Sequence, residues 1–156
     1  MDLAKSYDWA VIAGLNDAGQ LVKFDRWQSD WGSTKRRILN TVGTKPTLID
    51  STGVGDPIVE EIQIGKENIE GLKFTSGSKQ QLMEGLAMAF QNGEITIHPS
   101  QTILIEELEA FEFIYTRTGV KYSAPDGMHD DGVCALALAV KCKTEKRKRG
   151  SIKSWA

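Results

Sequence analysis

The stretch Pro46-Thr-Leu-Ile-Asp50-Ser-Thr-Gly-Val-Gly55-Asp-Pro57 predicts a buried strand, a glycine-containing loop and the start of a helix. Pro57 suits the first position of a helix, because the amide that proline lacks would have no partner there. Asp50 stands where the apolar run ends. In an α/β sheet, an acid that ends a strand points into the crevice where ligands bind. This unit therefore predicts an α/β fold with Asp50 at its functional edge.

Upstream of this unit, the sequence predicts an antiparallel hairpin followed by a helix. Residues 9–15 and 21–27 are apolar enough for strands, and Asn16-Asp-Ala-Gly19 between them is a turn of the kind that closes hairpins. Ser33 or Thr34 is the expected cap of the helix, which should stop at a glycine soon after residue 42.

Downstream of the central unit, helices and strands alternate before a second hairpin and a last helix. The expected elements are a helix from 56 to about 65, strands at 69–74 and 94–97, helices at 76–92 and 102–109, strands at 111–116 and 120–124, and a helix from about 130 to 143. This order predicts a mixed sheet flanked by helices, with an extra β-hairpin before the last helix. We expect one domain over residues 1–143 and a basic, disordered tail over residues 144–156.

The bulk composition is that of a globular protein. The 156 residues suffice for one domain with its own core, and 40% of them are apolar. No apolar run approaches the roughly 18 residues typical of a membrane span, so no membrane partner is expected. Cys134 and Cys142 lack CxxC spacing and are expected to be free, buried thiols.

The charge is unevenly distributed along the chain. Residues 141–156 contain seven basic residues against Glu145 alone, a net charge of +6. Because the whole chain carries −2, the rest carries −8. An acidic body does not favour strong DNA binding by itself, since phosphate neutralisation supplies most non-specific affinity. The basic end is either a solvated terminus or a contact for DNA or an acidic partner.

Three widely separated acidic sites carry the chemistry. Asp2 precedes the first strand, Asp50 ends the central strand, and Asp130-Asp131 begins the last helix. Taken singly, they have ordinary explanations: a solvated terminus, a turn-forming aspartate and a helix cap. Brought together, they would repel one another unless a cation held them, and carboxylate oxygens suit Mg²⁺ or Mn²⁺. The sequence thus predicts a divalent-metal site for phosphate-ester chemistry.

Three motifs resemble those of the ribonuclease H-like nucleases, more specifically the C-terminal nuclease domain of the large terminase subunit of tailed bacteriophages. They are Asp2-Leu-Ala-Lys-Ser-Tyr-Asp8, Leu48-Ile-Asp-Ser-Thr-Gly-Val-Gly-Asp56 and His129-Asp-Asp-Gly-Val-Cys-Ala-Leu-Ala-Leu-Ala139. The likeness extends to about Lys143. Two departures stand out: only Met1 precedes the first aspartate, and the GxxxxGK[ST] phosphate loop of the family's ATPase motor is missing.

The resemblance implies a metal-dependent endonuclease that cuts double-stranded DNA during phage genome packaging. Two divalent ions can activate a water and stabilise the departing oxygen of a phosphodiester. Asp2 is the candidate bridge between them, and Asp50 the ligand of one ion. Asp131 is preferred over Asp130 for the other ion, because the family's helix start turns the second acid towards the site.

Basic residues near these motifs are candidates for DNA contacts. Lys5, Lys79, Arg117 and Lys121 are the expected nucleic-acid-binding residues, and ordinary surface positions are the alternative for each. His129, beside the acids, is either a proton-transfer group or a loop residue.

The expected partners are double-stranded DNA, the portal protein and a terminase ATPase domain, in the host cytoplasm. Two other functions stay open. A Holliday-junction resolvase on the same fold would prefer branched DNA and form a dimer. A non-catalytic module that docks on DNA or the portal would tolerate loss of Asp2 and Asp50.

Overall fold

A computed structural model describes residues 1, 9–52, 55–117, 119–125 and 129–148 of the chain. The elements are β1 (Ala10–Leu15), β2 (Leu21–Trp27), α1 (Trp31–Val42), β3 (Thr47–Asp50), α2 (Gly55–Gln63), β4 (Ile69–Leu72), α3 (Ser76–Gln91), α4 (Thr102–Ala110), β5 (Glu112–Thr116), β6 (Gly119–Ser123) and α5 (Asp131–Lys148). This is the predicted mixed α/β architecture, with the extra hairpin directly before the last helix.

Within these ranges the strands form three two-stranded sheets. β1 and β2 pair antiparallel, β3 and β4 pair parallel, and β5 and β6 pair antiparallel. Both pairing directions predicted for a mixed sheet are therefore present. Hydrogen bonds do not join the described strands into one continuous ladder.

Two apolar clusters lie on opposite faces of β1, whose six residues are all buried. Val11, Ala13 and Leu15 belong to the cluster that contains α3 and α5. Ala10 and Ile12 belong to the cluster that contains residues of α1 and α2. Successive side chains of a strand point to opposite faces, so β1 is covered by helices on both sides. The fold therefore has three layers, helix–strand–helix.

Met1 lies along the edge of β3. Its amino group donates to the Leu48 carbonyl at 2.9 Å, and the Asp50 amide donates to the Met1 carbonyl at 3.0 Å. These two bonds flank Ile49 in the pattern of a parallel strand pair. Met1 is only 2% exposed and packs in the cluster of α1 and α2.

Three details differ from the sequence-based predictions. Asp30 caps α1, because its carboxylate accepts from the Ser33 amide at 3.0 Å, so the predicted cap at Ser33 or Thr34 is wrong. The expected strand at 94–97 is reduced to one parallel bridge between Gln20 and Thr96. The last helix continues to Lys148 instead of ending near residue 143.

The extra turns of α5 have partners along their length. Lys141 pairs with Glu145 one turn later at 2.7 Å, and Lys146 lies 3.6 Å from Glu70 of β4. Both predicted free thiols, Cys134 and Cys142, are buried on this helix. None of the described helices is long and apolar enough to cross a membrane.

Candidate metal site

Asp50 is held at the carboxyl end of β3 by the residue two positions on. Its Oδ1 accepts from the Thr52 amide at 2.9 Å and from the Thr52 hydroxyl. The same hydroxyl oxygen accepts from the Phe74 amide at 2.8 Å, just after β4. Asp50 therefore forms the turn that its sequence suggested. Both bonds from Thr52 end on the same carboxylate oxygen of Asp50. A turn role and a ligand role for Asp50 are thus compatible.

Asp130 and Asp131 lie at the amino end of α5 in different surroundings. Asp130 Oδ2 accepts from Lys79 Nζ of α3 at 3.1 Å, in a half-buried ion pair. Asp131, the first residue of the helix, places Oδ2 3.5 Å from Nδ1 of His129. The amino end of a helix favours nearby negative charge, which suits acidic residues at this position. Lys79, predicted as a DNA contact, therefore lies beside one of the predicted metal ligands.

A third carboxylate reaches the same helix end from α4. Glu107 is 6% exposed, and its Oε2 accepts from the Gly132 amide at 2.8 Å. Its Oε1 lies 3.4 Å from Nη1 of Arg26 on β2. Burial raises the pKa of the Glu107 carboxyl; the Gly132 amide and Arg26 oppose that rise, and the Asp131 charge adds to it.

The elements that carry these groups are neighbours, because α5 packs against β1, β3, α3 and α4. Over the residues that the structure describes, no group of three or more potential ligand side chains is close enough to hold a metal ion. Asp2, the predicted bridging ligand, lies outside the described residues. The donors that are present, hard carboxylate oxygens held by an amide, a hydroxyl and an ammonium, fit Mg²⁺ or Mn²⁺.

The remaining predicted DNA contacts are only partly visible. Arg117 is exposed in the turn between β5 and β6. Lys121 is on β6, but its side chain lies outside the described part, as does Lys5 altogether. Of the two basic residues whose side chains the structure describes, Lys79 forms an ion pair with Asp130 and Arg117 is exposed.

Comparison with known proteins identifies the fold. No protein-family profile matches the chain. The large terminase subunits of Thermus virus P23-45 and Thermus phage G20c are each 32% identical over 145 residues. The large terminase nuclease of phage G20c, solved with bound magnesium, superposes with a TM-score of 0.80 at 29% identity, covering 90% of this chain and 77% of that one. The chain is homologous to phage large terminase subunits.

Further terminase structures resemble this chain, and the similarity covers only part of the length of the terminase relatives. The large terminase nuclease domain of Thermus phage P74-26 superposes with a TM-score of 0.76 at 28% identity. The G20c terminase nuclease has also been solved with bound cobalt, and it then matches with a TM-score of 0.77. The aligned region covers 88% of this chain but only 30% of each full-length terminase relative. The predicted resemblance to the terminase nuclease domain is confirmed, and so is the fold class.

Sequence reasoning missed Glu107 and Arg26. Glu107 lies in Glu106-Glu-Leu-Glu109, where three acidic residues surround one leucine, a composition typical of an exposed helix. The signal in the sequence was the spacing: Glu107 follows the apolar Leu104 by three residues, so both fall on the same side of a helix. In the structure this side of α4 faces inward, and Leu104 is fully buried. A charged residue on an inward helix face requires a buried partner.

Proposed function

We propose that this chain is a divalent-metal-dependent endonuclease that cuts double-stranded DNA during phage genome packaging. The observation that carries the proposal is the TM-score of 0.80 to a terminase nuclease domain whose structure contains bound magnesium. The described acids support it, because Asp50 and the pair Asp130-Asp131 occupy a strand end and a helix start, where α/β enzymes build their sites.

Two ions, Mg²⁺ or Mn²⁺, are held by four carboxylates in this proposal. Asp2 bridges the ions, Asp50 binds one, and Asp131 binds the other, with Asp130 as the further ligand. The position of Met1 supports the role of Asp2. Met1 is hydrogen-bonded to Leu48 and Asp50, and Asp2 follows it directly in the sequence.

The bound ions would supply a water nucleophile at neutral pH and neutralise charge on the departing oxygen. The chain's own residues prepare the site for them. Thr52 fixes one oxygen of Asp50, and the ammonium of Lys79 reduces repulsion between Asp130 and the other acids. The amino end of α5 stabilises the negative charge of Asp131.

Contacts with DNA and with the packaging machine complete the proposal. Lys5, Lys79, Arg117 and Lys121 contact the phosphate backbone. Residues 1–143 act as the nuclease domain, and the basic residues 144–156 extend from it. The portal protein and a terminase ATPase domain are the protein partners, in the host cytoplasm. Because the body of the chain is acidic, its own affinity for DNA should be weak. Weak affinity is sufficient if a motor delivers the DNA to the nuclease.

The test is nicking and linearisation of plasmid DNA by the purified chain with Mg²⁺, Mn²⁺ or EDTA. Asp2→Ala and Asp50→Asn should each lower the cutting rate at least about 100-fold, because each removes a charged ligand. Asp17→Asn is the matched control, since Asp17 is exposed in the β1–β2 turn, and it should cut like the unaltered chain.

Each result has a definite meaning when circular dichroism shows the variants folded. Metal-dependent cutting that both site variants lose supports the proposal. Equal cutting by all variants would place the activity elsewhere or in a contaminant. If the unaltered chain neither cuts DNA nor binds Mn²⁺ by calorimetry, the proposal is wrong and the docking-module alternative gains weight.

A further inference from the structure

The amino end of α5 is capped by a side chain from another helix. The amide of Gly132, the second residue of α5, donates to Oε2 of Glu107 at 2.8 Å, and this bond is buried. In most helices the residue before the first turn caps that amide with its own side chain. Asp130 occupies that position here.

Because Glu107 takes the Gly132 amide, the Asp130 carboxylate is directed elsewhere. Asp130 Oδ2 accepts from Lys79 Nζ at 3.1 Å, while the Asp130 backbone carbonyl accepts the first helical bond from Cys134 at 2.9 Å. The Gly132 amide is therefore capped without the Asp130 side chain. An acid that would otherwise cap its own helix becomes available to a cation.

The Glu107 cap is closely fitted and held from behind. A Cβ added at Gly132 would lie 2.4 Å from Glu107 Oε2, so the carboxylate packs directly on the helix backbone. Arg26 Nη1 lies 3.4 Å from the other oxygen, and the Arg26 guanidinium lies 4.4 Å from the centre of the Trp9 ring. The side chains of Arg26 and Glu107 are only 17% and 7% exposed. These contacts tie β2, α4 and α5 together at one point.

We propose that Glu107 is a positioning residue for the metal-binding acids, a role that rests on the proposed function. By capping Gly132 it fixes the first turn of α5, and so fixes the directions of Asp130 and Asp131. Arg26 orients Glu107 and supplies the opposite charge that a buried carboxylate requires. Groups that orient metal ligands in this way commonly contribute about 10- to 100-fold to metal affinity.

The primary test is calorimetric titration of the protein with Mn²⁺, which measures binding without depending on cutting. Glu107→Ala should weaken Mn²⁺ binding at least about 10-fold, and Glu107→Gln, which keeps an acceptor for the Gly132 amide, should stay within about threefold of the unaltered chain. Glu106→Ala is the matched control. Glu106 precedes Glu107 on α4 but is exposed, and its loss should leave Mn²⁺ affinity unchanged.

A second variant keeps the test decisive if Glu107→Ala fails to fold. Gly132→Ala retains the carboxylate but pushes it away from the helix, so it should also weaken Mn²⁺ binding. A purely structural role would lower the urea midpoint of Glu107→Ala and leave its Mn²⁺ affinity unaltered, and that result overturns the inference. If the unaltered chain binds Mn²⁺ and cuts DNA in that case, the proposed function stands alone. If the unaltered chain binds no Mn²⁺, both proposals fail.

Discussion

At the scale of single residues, Thr52 links the site to the sheet. Its hydroxyl donates to Asp50 Oδ1 and accepts from the Phe74 amide, so one side chain holds the end of β3 against the chain that leaves β4. The orientation of Asp50 and the local stability of the fold therefore depend on the same oxygen atom.

Replacing Thr52 with valine should impair both the orientation of Asp50 and the stability of the fold. Thr52→Val leaves the Phe74 amide without its partner, which should lower the free energy of unfolding by about 1–3 kcal/mol in urea titrations. The loss of one of the two bonds to Asp50 should weaken Mn²⁺ binding about 10-fold by calorimetry. Thr52→Ser keeps the hydroxyl and is the control. Unaltered Mn²⁺ affinity in a folded Thr52→Val protein would show that the hydroxyl does not orient Asp50.

The candidate site was only partly predictable from individual residues. The positions of Asp50, Asp130 and Asp131 could be predicted, because each lies at the end or the start of an element that local patterns reveal, but their roles as metal ligands stay predictions. Glu107 could not be predicted, because its role depends on α4 meeting the start of α5, a contact between residues 25 positions apart. Asp2 stays a prediction, since it lies outside the described residues.

At the scale of elements, the β1–β2 turn depends on one glycine. Gly19 has a φ of +84°, and a Cβ there would lie 1.8 Å from the Glu94 carbonyl oxygen. This close approach lets the Gly19 carbonyl accept from the Thr96 amide at 3.0 Å, which attaches the hairpin to the segment after α3. The turn is therefore a tertiary contact as well as a reversal of the chain.

Gly19→Ala should cost more stability than the same change at Gly65. Gly65 also has a positive φ, +70°, but no atom lies within 4 Å of its added Cβ, so strain alone should cost about 1–2 kcal/mol. At Gly19 the backbone clash should add about 1–3 kcal/mol. Urea unfolding of both variants measures the difference. Equal losses at the two positions would show that the turn moves away from Glu94 at little cost.

Elements with strong local signals were predicted well, and those fixed by distant contacts were not. The hairpin at Asn16–Gly19 and the helix that begins near Pro57 follow from turn and proline chemistry. The length of α5 does not, because Lys146 lies beside Glu70 of β4, which no local pattern reveals. The segment 94–97 forms a single bridge. Thr96 bonds with Gly19 and Leu21 of the first hairpin, whereas the Glu94 amide donates back to the Ala89 carbonyl of α3.

At the scale of the whole molecule, the charge distribution governs how the protein meets DNA. The net charge is −2, with an excess of basic residues confined to the end of the chain. The exposed Arg117 lies on the second hairpin, which packs on α3 through β6. A protein of this kind should bind duplex DNA weakly and with a modest dependence on salt.

The double change Arg117→Ala with Lys121→Ala should reduce the salt dependence of duplex DNA binding. Each lost phosphate contact lowers the slope of log K against log salt by about 0.9, so the two together should lower it by about 1.8. Fluorescence anisotropy with labelled duplex in EDTA measures the slope without cutting. Arg36→Ala, at an exposed position on α1, is the control. An unchanged slope in the double variant would exclude the hairpin as a DNA contact.

The complete burial of residues 133–138 of α5 limits how this protein can be improved by engineering. Residues 133–138 are each at most 2% exposed, and two of them, Ala135 and Ala137, are small where the helix packs on its neighbours. A larger side chain at either position would displace a helix that also carries Asp130 and Asp131 at its start. Laboratory selection for heat resistance should therefore find its gains at the periphery, for example at the 78% exposed Ile64, and leave α5 untouched.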